Sequence, residues 1–187
     1  MNAPLIGFAG AARSGKDTAA QALADTGWTC RAFADKVRDI LYATNLLLDE
    51  PSYSRGFTTL KYEVDQYGWE AAKEMYPELR RYLQRLGTEG GREILGENVW
   101  VDALFRDRDT WGPTVITDVR FPNEADAIRA RGGLVIAIQR PGQEQIPDAE
   151  HVSETALRGY LFDDVILNDG PVTQLHDRVM QLLPLLV

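Results

Sequence analysis

The stretch Gly10-Ala11-Ala12-Arg13-Ser14-Gly15-Lys16-Asp17-Thr18 limits what this chain can fold into more than any other. An apolar run, Leu5 to Ala9, leads into it, and a helix-favouring run, Ala19 to Ala24, follows. Strand, glycine-bracketed loop and helix is the setting of a phosphate-binding loop. The two glycines let the backbone curl until successive N–H groups point inward, and the helix N-terminus adds partial positive charge. Lys16 supplies a full positive charge for the β- and γ-phosphates of a nucleotide. The blander alternative is a glycine turn capping an ordinary helix, with Lys16 in solvent.

The loop departs from the common motif at one position. Asp17 stands where a Ser or Thr usually ligates Mg²⁺, and the hydroxyl comes one residue later, at Thr18. A carboxylate can hold Mg²⁺ directly or through water. Thr18 is then free to hydrogen-bond the α-phosphate.

Further along, residues 28–34 read as a second strand, with Asp35 and Lys36 at its carboxyl end. A helix is expected from Val37 to Leu48, because Leu41, Asn45 and Leu48 share one face. Pro51 to Gly56 reads as a loop. From Thr59 to Arg108 the pattern is helical, divided at Gly68 and Pro77. Roughly fifty helical residues exceed what a crossover between strands needs, so an α-helical insertion is expected at about 52–108. Thr114 to Asp118, Leu134 to Ile138 and Val165 to Leu167 are three more strands. A helix is expected from Asn123 to Arg131, and Pro171 opens the last one. Five strands alternating with helices indicate an α/β fold, a parallel sheet covered on both faces, in one domain spanning 1–187.

The formal net charge of −8 opposes broad binding to nucleic acids or anionic membranes. Sixteen Arg stand against four Lys. That excess suits anion handling, but a GC-rich genome would give the same bias, so only the position of each Arg is informative. Cys30 is the sole cysteine, which excludes an internal disulfide; its apolar strand suggests a core thiol. No signal peptide is visible at the start and no apolar run nears the ~20 residues that span a bilayer. The cytoplasm is the expected location, and a homodimer is left open.

In open parallel sheets ligands bind outside the carboxyl ends of the strands. Those ends carry the phosphate loop, Asp35-Lys36, Asp118 with Arg120, Arg140, and Asn168. Asp118 ends an apolar strand as a Walker B carboxylate does, holding Mg²⁺ or its water shell; the alternative is a cap on the next helix. Arg120 either neutralises phosphate charge or pairs with Asp118 or Glu124. Between Leu79 and Arg92, Arg80, Gln84 and Thr88 form one stripe at i, i+4, i+8, and Arg81, Arg85, Glu89 and Arg92 a neighbouring one. Three glycines there would each cost about 1 kcal/mol in a helix unless backbone must approach something closely. Trp100 and Trp69 either stack on a base or fill the core, His176 reads as structural, and His151 is a lid contact or a surface histidine.

Several of these segments together resemble the phage-type deoxynucleoside monophosphate kinase family. They are Ser-Gly-Lys-Asp-Thr at 14–18, Phe33-Ala34-Asp35-Lys36, Leu83-Gln84-Arg85-Leu86-Gly87-Thr88-Glu89 with Arg92, and Val99-Trp100-Val101. Thr117 to Glu124 and His151-Val152-Ser153-Glu154 extend the likeness over nearly the whole chain. The resemblance implies a P-loop nucleoside-monophosphate-kinase fold that moves the γ-phosphate of ATP, with Mg²⁺, onto a deoxynucleoside monophosphate. It places ATP on residues 11–18 (Ala11, Ala12, Arg13, Ser14, Gly15, Lys16, Asp17 and Thr18), with adenine near Asn168. It places the acceptor on Asp35, Lys36, Arg80, Gln84, Thr88, Arg92 and Trp100, and Mg²⁺ near Asp17 and Asp118. Lys16, Arg120, Arg140 and Asp35 would take part in catalysis, and residues at about 140–155 would form a short lid.

The chemistry is consistent with this. A phosphate monoester acceptor is already ionised near neutral pH, so charge neutralisation and in-line alignment matter more than a general base. A kinase acting on a hydroxyl, such as a hydroxymethylated base, would need a carboxylate to take the proton, and Asp35 could serve. A phosphomevalonate-like acceptor, or a nucleotide-binding switch with slow ATP hydrolysis, are the other readings.

Overall fold

In the computed structural model, residues 3–49, 56–142 and 155–186 are described. The expected loop at Pro51 and most of the expected lid, including His151, lie outside them. The chain divides into two compact units, Met1–Phe33 with Leu104–Val187, and Ala34–Ala103. In chain order the elements begin with β1 (Leu5–Ala9), α1 (Lys16–Ala24), β2 (Thr29–Arg31), α2 (Ala34–Thr44), β3 (Leu47–Asp49) and β4 (Phe57–Thr59). Next come α3 (Leu60–Met75), α4 (Pro77–Arg85), a π-helix (Leu86–Glu93), α5 (Val99–Phe105) and a 3₁₀ turn (Arg108–Thr110). The chain continues through β5 (Thr114–Val119), α6 (Pro122–Arg129), β6 (Leu134–Gln139), β7 (Asp164–Leu167), α7 (Val172–Met180) and a 3₁₀ turn, Leu183–Leu186.

The first unit is built around β1, all five of whose residues are buried. A strand sealed on both faces must be apolar throughout, and Leu-Ile-Gly-Phe-Ala is. The sheet runs β2-β5-β1-β6-β7, and every pairing is parallel. Ile6 and Phe8 face one side, where they join Ala19, Ala20 and Leu23 of α1 and Leu175 and Val179 of α7 in one core. On the far side of the sheet, α6 is closed by Glu124, whose Oε2 accepts from the N–H groups of Arg120 (2.8 Å) and Phe121 (3.0 Å). Asp163 secures the entry to β7. Its carboxylate accepts from the Val135 N–H at 2.7 Å and from Arg129 Nε at 3.1 Å. The Tyr160 hydroxyl, donating to Asp126 at 2.7 Å, is pushed up to about 12 by burial and by that hydrogen bond.

Because all five strands are parallel, their carboxyl ends share one edge. β1 sits between β5 and β6, so the loop after β1 is flanked by the segments that follow those two strands. Cys30 is exposed on the edge strand β2 rather than in the core. Burial of its sulfur and the nearby Asp17 charge push the thiol above its ordinary value, which keeps it protonated and unreactive.

The second unit has its own core of Leu41, Leu48, Leu60, Ala72, Tyr76 and Leu79. Here the helix expected through Leu48 stops at Thr44. Asn45 takes a left-handed conformation (φ 53°), and its N–H closes the last turn onto the Leu41 carbonyl at 3.0 Å. Its Oδ1 also accepts from the Lys61 N–H at 3.0 Å. Leu48 is buried as the helical spacing required, but from an antiparallel pair of strands, β3 and β4. Gly68 (φ 76°) interrupts α3, and Pro77 opens α4, where its missing N–H costs nothing.

Asn45→Ala and Asn45→Gly both remove the Lys61 contact, but only alanine meets the left-handed penalty of roughly 1–2 kcal/mol. Urea unfolding should therefore show Asn45→Ala less stable than Asn45→Gly by about 1 kcal/mol; equal stabilities would mean the helix end is set elsewhere.

Candidate active site

The loop after β1 has the curl that its glycines anticipate. Gly15 is left-handed (φ 104°) and is the N-cap of α1. A Cβ placed on it would lie 2.4 Å from Asn168 Nδ2. That same amide donates to the Ser14 carbonyl at 2.9 Å, while the Asn168 backbone N–H donates to Gln139 at 2.7 Å. Asn168 thus joins the segment after β7 to β6 and to the loop. The Ser14 hydroxyl is buried with no hydrogen-bond partner among the described residues.

The Lys16 ammonium donates to the carbonyls of Gly10 and Ala11, both at 2.8 Å, which folds its charge back over the loop mouth. A cleft of about 270 Å³ opens there, lined by Arg13, Lys16, Asp17, Thr18, Arg140 and Asn168. Five of those six were anticipated on the phosphate loop and Asn168, and Arg140 enters from the end of β6. Three cationic side chains and the amino end of α1 surround this space, which suits an anion. Asp17 and Thr18 contribute a carboxylate and a hydroxyl to the same wall. His176, read as structural, has Nε2 at 3.1 Å from the Thr18 carbonyl and so braces the first turn of α1.

Asp118 does not cap α6, whose N-cap is Phe121. Its Oδ1 instead accepts from the Phe33 N–H at 2.7 Å, tying the end of β5 to the chain leaving β2. Arg120 follows it, with its backbone held by Glu124. Glu124 is 4% exposed, and sequence reasoning had it only as a pairing partner for Arg120. Its place three residues after Phe121 on a short helix was the available signal.

The second unit carries the other group of expected residues. Asp35 and Lys36 lie in the first turn of α2, where Asp35 accepts from Arg38 at 3.3 Å and Lys36 pairs with Asp39 at 3.1 Å. Arg80 is exposed on α4, and its Nε donates to the Lys73 carbonyl at 3.3 Å. Gln84 is exposed and Thr88 half-buried. Beyond Leu86 the helix becomes a π-helix, so the stripes counted at α-helical spacing do not continue unchanged through Thr88, Glu89 and Arg92. π-Helical turns are rare and are frequent at functional sites.

The π-helix also accounts for one of the three glycines. A Cβ on Gly91 would lie 2.3 Å from Trp100 Cζ2. Trp100 is 4% exposed, and its Nε1–H donates to the Gly87 carbonyl at 2.7 Å. Its indole is occupied in supporting the π-helix, which corrects the expectation that it contacts a substrate directly. Arg92 is 9% exposed, with Nη1 donating to the Glu97 carbonyl at 3.1 Å. Among the described residues, no three His, Cys, Asp or Glu side chains cluster as a protein-only metal site, and no helix is long and apolar enough to cross a membrane.

Comparison with known proteins agrees with this arrangement. A Thermus thermophilus protein of solved structure, TT1252, shares the fold, with a TM-score of 0.51 and 18% identity over the whole of both chains. A provisional deoxynucleotide monophosphate kinase of Acanthamoeba polyphaga mimivirus is 32% identical over 94% of both chains. The deoxynucleoside-5′-monophosphate kinase of Escherichia phage T5 is 28% identical over 82% of this chain and 84% of its own. The deoxynucleotide monophosphate kinase of Enterobacteria phage T4 is 32% identical over 58% of this chain and 46% of its own. The sequence profile of one family, deoxynucleotide monophosphate kinase, matches residues 61–179. The chain belongs to the deoxynucleotide monophosphate kinase family, a family of phosphotransferases.

Proposed function

We propose that this protein transfers the γ-phosphate of ATP to a deoxynucleoside 5′-monophosphate, giving ADP and the deoxynucleoside diphosphate. The observation that carries the donor half is the loop itself: a left-handed Gly15, a Lys16 ammonium and the first turn of α1 around one cleft. Backbone N–H groups and Lys16 bind the triphosphate, and Arg140 adds a cation from the end of β6. Asn168 acts here chiefly as a clamp on the loop, and lies where adenine would meet it. The Ser14 hydroxyl, buried and unpartnered, is a donor in reserve for a phosphate oxygen.

Mg²⁺ binds through one or two carboxylates and the substrate phosphates rather than through a closed protein cage. The donor set fits: Asp17 and Thr18 stand on the cleft wall and Asp118 ends β5. Asp17 and Asp118 would hold the ion or its water shell. When bound, Mg²⁺ neutralises charge on the transferred group.

The acceptor belongs to α4 and the π-helix. Arg92 provides a mostly desolvated guanidinium, where attraction for an anion is less screened than in water. Arg80, Gln84 and Thr88 supply polar contacts to the nucleotide, with Trp100 positioning the π-helix beneath them. Arg120 offers further positive charge beside Asp118. Asp35, paired with Arg38, orients the start of α2 beside Lys36 and need not act as a base, because a monophosphate acceptor arrives deprotonated.

Incubation with ATP, Mg²⁺ and each of the four common deoxynucleoside monophosphates should form ADP and the diphosphate in equal amounts with at least one acceptor. ATP consumption that no monophosphate alters would contradict the proposal and indicate a slow ATPase. Lys16→Ala should lower kcat by at least about 10²-fold while circular dichroism shows an intact fold; unchanged turnover would remove the loop from the reaction. Arg92→Ala should raise KM for the deoxynucleoside monophosphate by about tenfold or more, with KM for ATP little changed. Equal effects on both would take Arg92 out of the acceptor site.

A further inference from the structure

One group of cations plays no part in the proposed reaction. Phe105 and Trp111 stack with ring centroids 5.6 Å apart, and three arginines cover this pair. The guanidinium carbons of Arg31 and Arg108 lie 4.2 and 5.4 Å from the Trp111 ring centre, and that of Arg131 lies 4.2 Å from the centre of Phe105. Among the described residues, none of the three forms an ion pair with a carboxylate. In a chain with 28 acidic residues and a net charge of −8, that omission is unusual.

The hydrogen bonds within the group leave donors unused. Arg108 is 5% exposed; its Nη2 donates to the Ala3 carbonyl, but its Nε is buried with no partner. The Nε of Arg31 is likewise buried and unpartnered. Arg131 donates from Nη1 to the Ala127 carbonyl at 2.8 Å. Burial pushes the Arg108 guanidinium below its ordinary value; Asp109 opposes this through space, and Arg131 adds to it by repulsion. Cation–π contact offsets part of the cost of desolvating a guanidinium, yet buried charges are as a rule paired. Three cations around one platform call for an anion of more than one charge, and guanidinium forks match phosphate oxygens in geometry.

The group is also remote from the loop along the strands. Ala3, Trp111 and Arg131 precede the amino ends of β1, β5 and β6, whereas the loop follows the carboxyl end of β1. We propose that Arg31, Arg108 and Arg131, on the Phe105–Trp111 platform, form a second anion site for a phosphate group, free or carried by a nucleotide. Its occupancy neutralises the three cations and stabilises this end of the sheet.

Thermal unfolding of the full chain tests this, with Lys16→Ala as the background so that the phosphate loop contributes less. Millimolar inorganic phosphate, at constant ionic strength, should raise Tm on the order of 3–6 °C when its concentration is ten times the dissociation constant. Adding Arg31→Gln and Arg131→Gln should remove at least half of that rise; both side chains are only partly buried, and Arg108 is left in place. A parallel series with metal-free deoxythymidine triphosphate separates the sources: a larger rise than phosphate gives means a nucleotide ligand, and an equal or smaller one means the phosphate group alone. A rise that survives both substitutions, or no rise with either anion, would overturn the proposal. Independently of how the variants fold, the Arg108 Nε–H resonance of the Lys16→Ala protein should shift on phosphate addition, and a resonance that stays in place would also overturn it.

Discussion

Asn168 and the backbone of Gly15 contend for the same space, and the phosphate loop has its shape because residue 15 has no side chain to defend. The Asn168 amide reaches past it to the Ser14 carbonyl, while the Asn168 backbone N–H is bound to Gln139 at the end of β6. The loop is therefore pinned from outside as well as curled from within. A loop fixed in this way presents its N–H groups without the entropy cost of ordering them when an anion arrives. Lys16, Arg13 and Arg140 then face a cleft whose form is already set. The sheet makes this possible, since only parallel strands bring the ends of β1, β6 and β7 to one edge.

The acceptor segment is organised by a similar conflict of volumes. Gly91 gives way to Trp100, whose indole is held by the Gly87 carbonyl. The result is a π-helix with a mostly buried Arg92 near its end. Both putting a glycine in a helix and burying a guanidinium are costly locally. Such departures from local preference are expected where binding, rather than stability, sets the residues.

All five sheet strands were legible as apolar runs because a parallel strand sealed on both faces has no polar alternation to confuse with a helix. Glycine and proline marked the breaks at Gly68 and Pro77 for equally direct reasons. The end of α2 was not legible: Leu48 keeps helical spacing with Leu41, but the left-handed turn at Asn45 carries it into a strand that reaches the same core. Nor was the π-helix, whose extra residue per turn leaves no composition of its own. Cys30 looked like a core residue because its strand is apolar, yet that strand lies at the sheet edge, and strand order depends on pairings that local pattern does not encode. At the site, the loop, Asp118, Arg140 and Asn168 could be named from the rule that ligands meet the carboxyl ends of strands. The roles of Asn168 as clamp and Trp100 as support could not, because each depends on a contact between residues distant in sequence.

The account stands on the loop's preset shape, and Gly15→Ala tests it most directly. A methyl group there would both oppose the left-handed φ and strike Asn168, while the sheet core is untouched. Calorimetric titration with ATP and Mg²⁺ should show at least about 10²-fold weaker binding than the wild-type protein, with near-native circular dichroism. Wild-type affinity in a folded Gly15→Ala protein would mean that the triphosphate is held by something other than this loop.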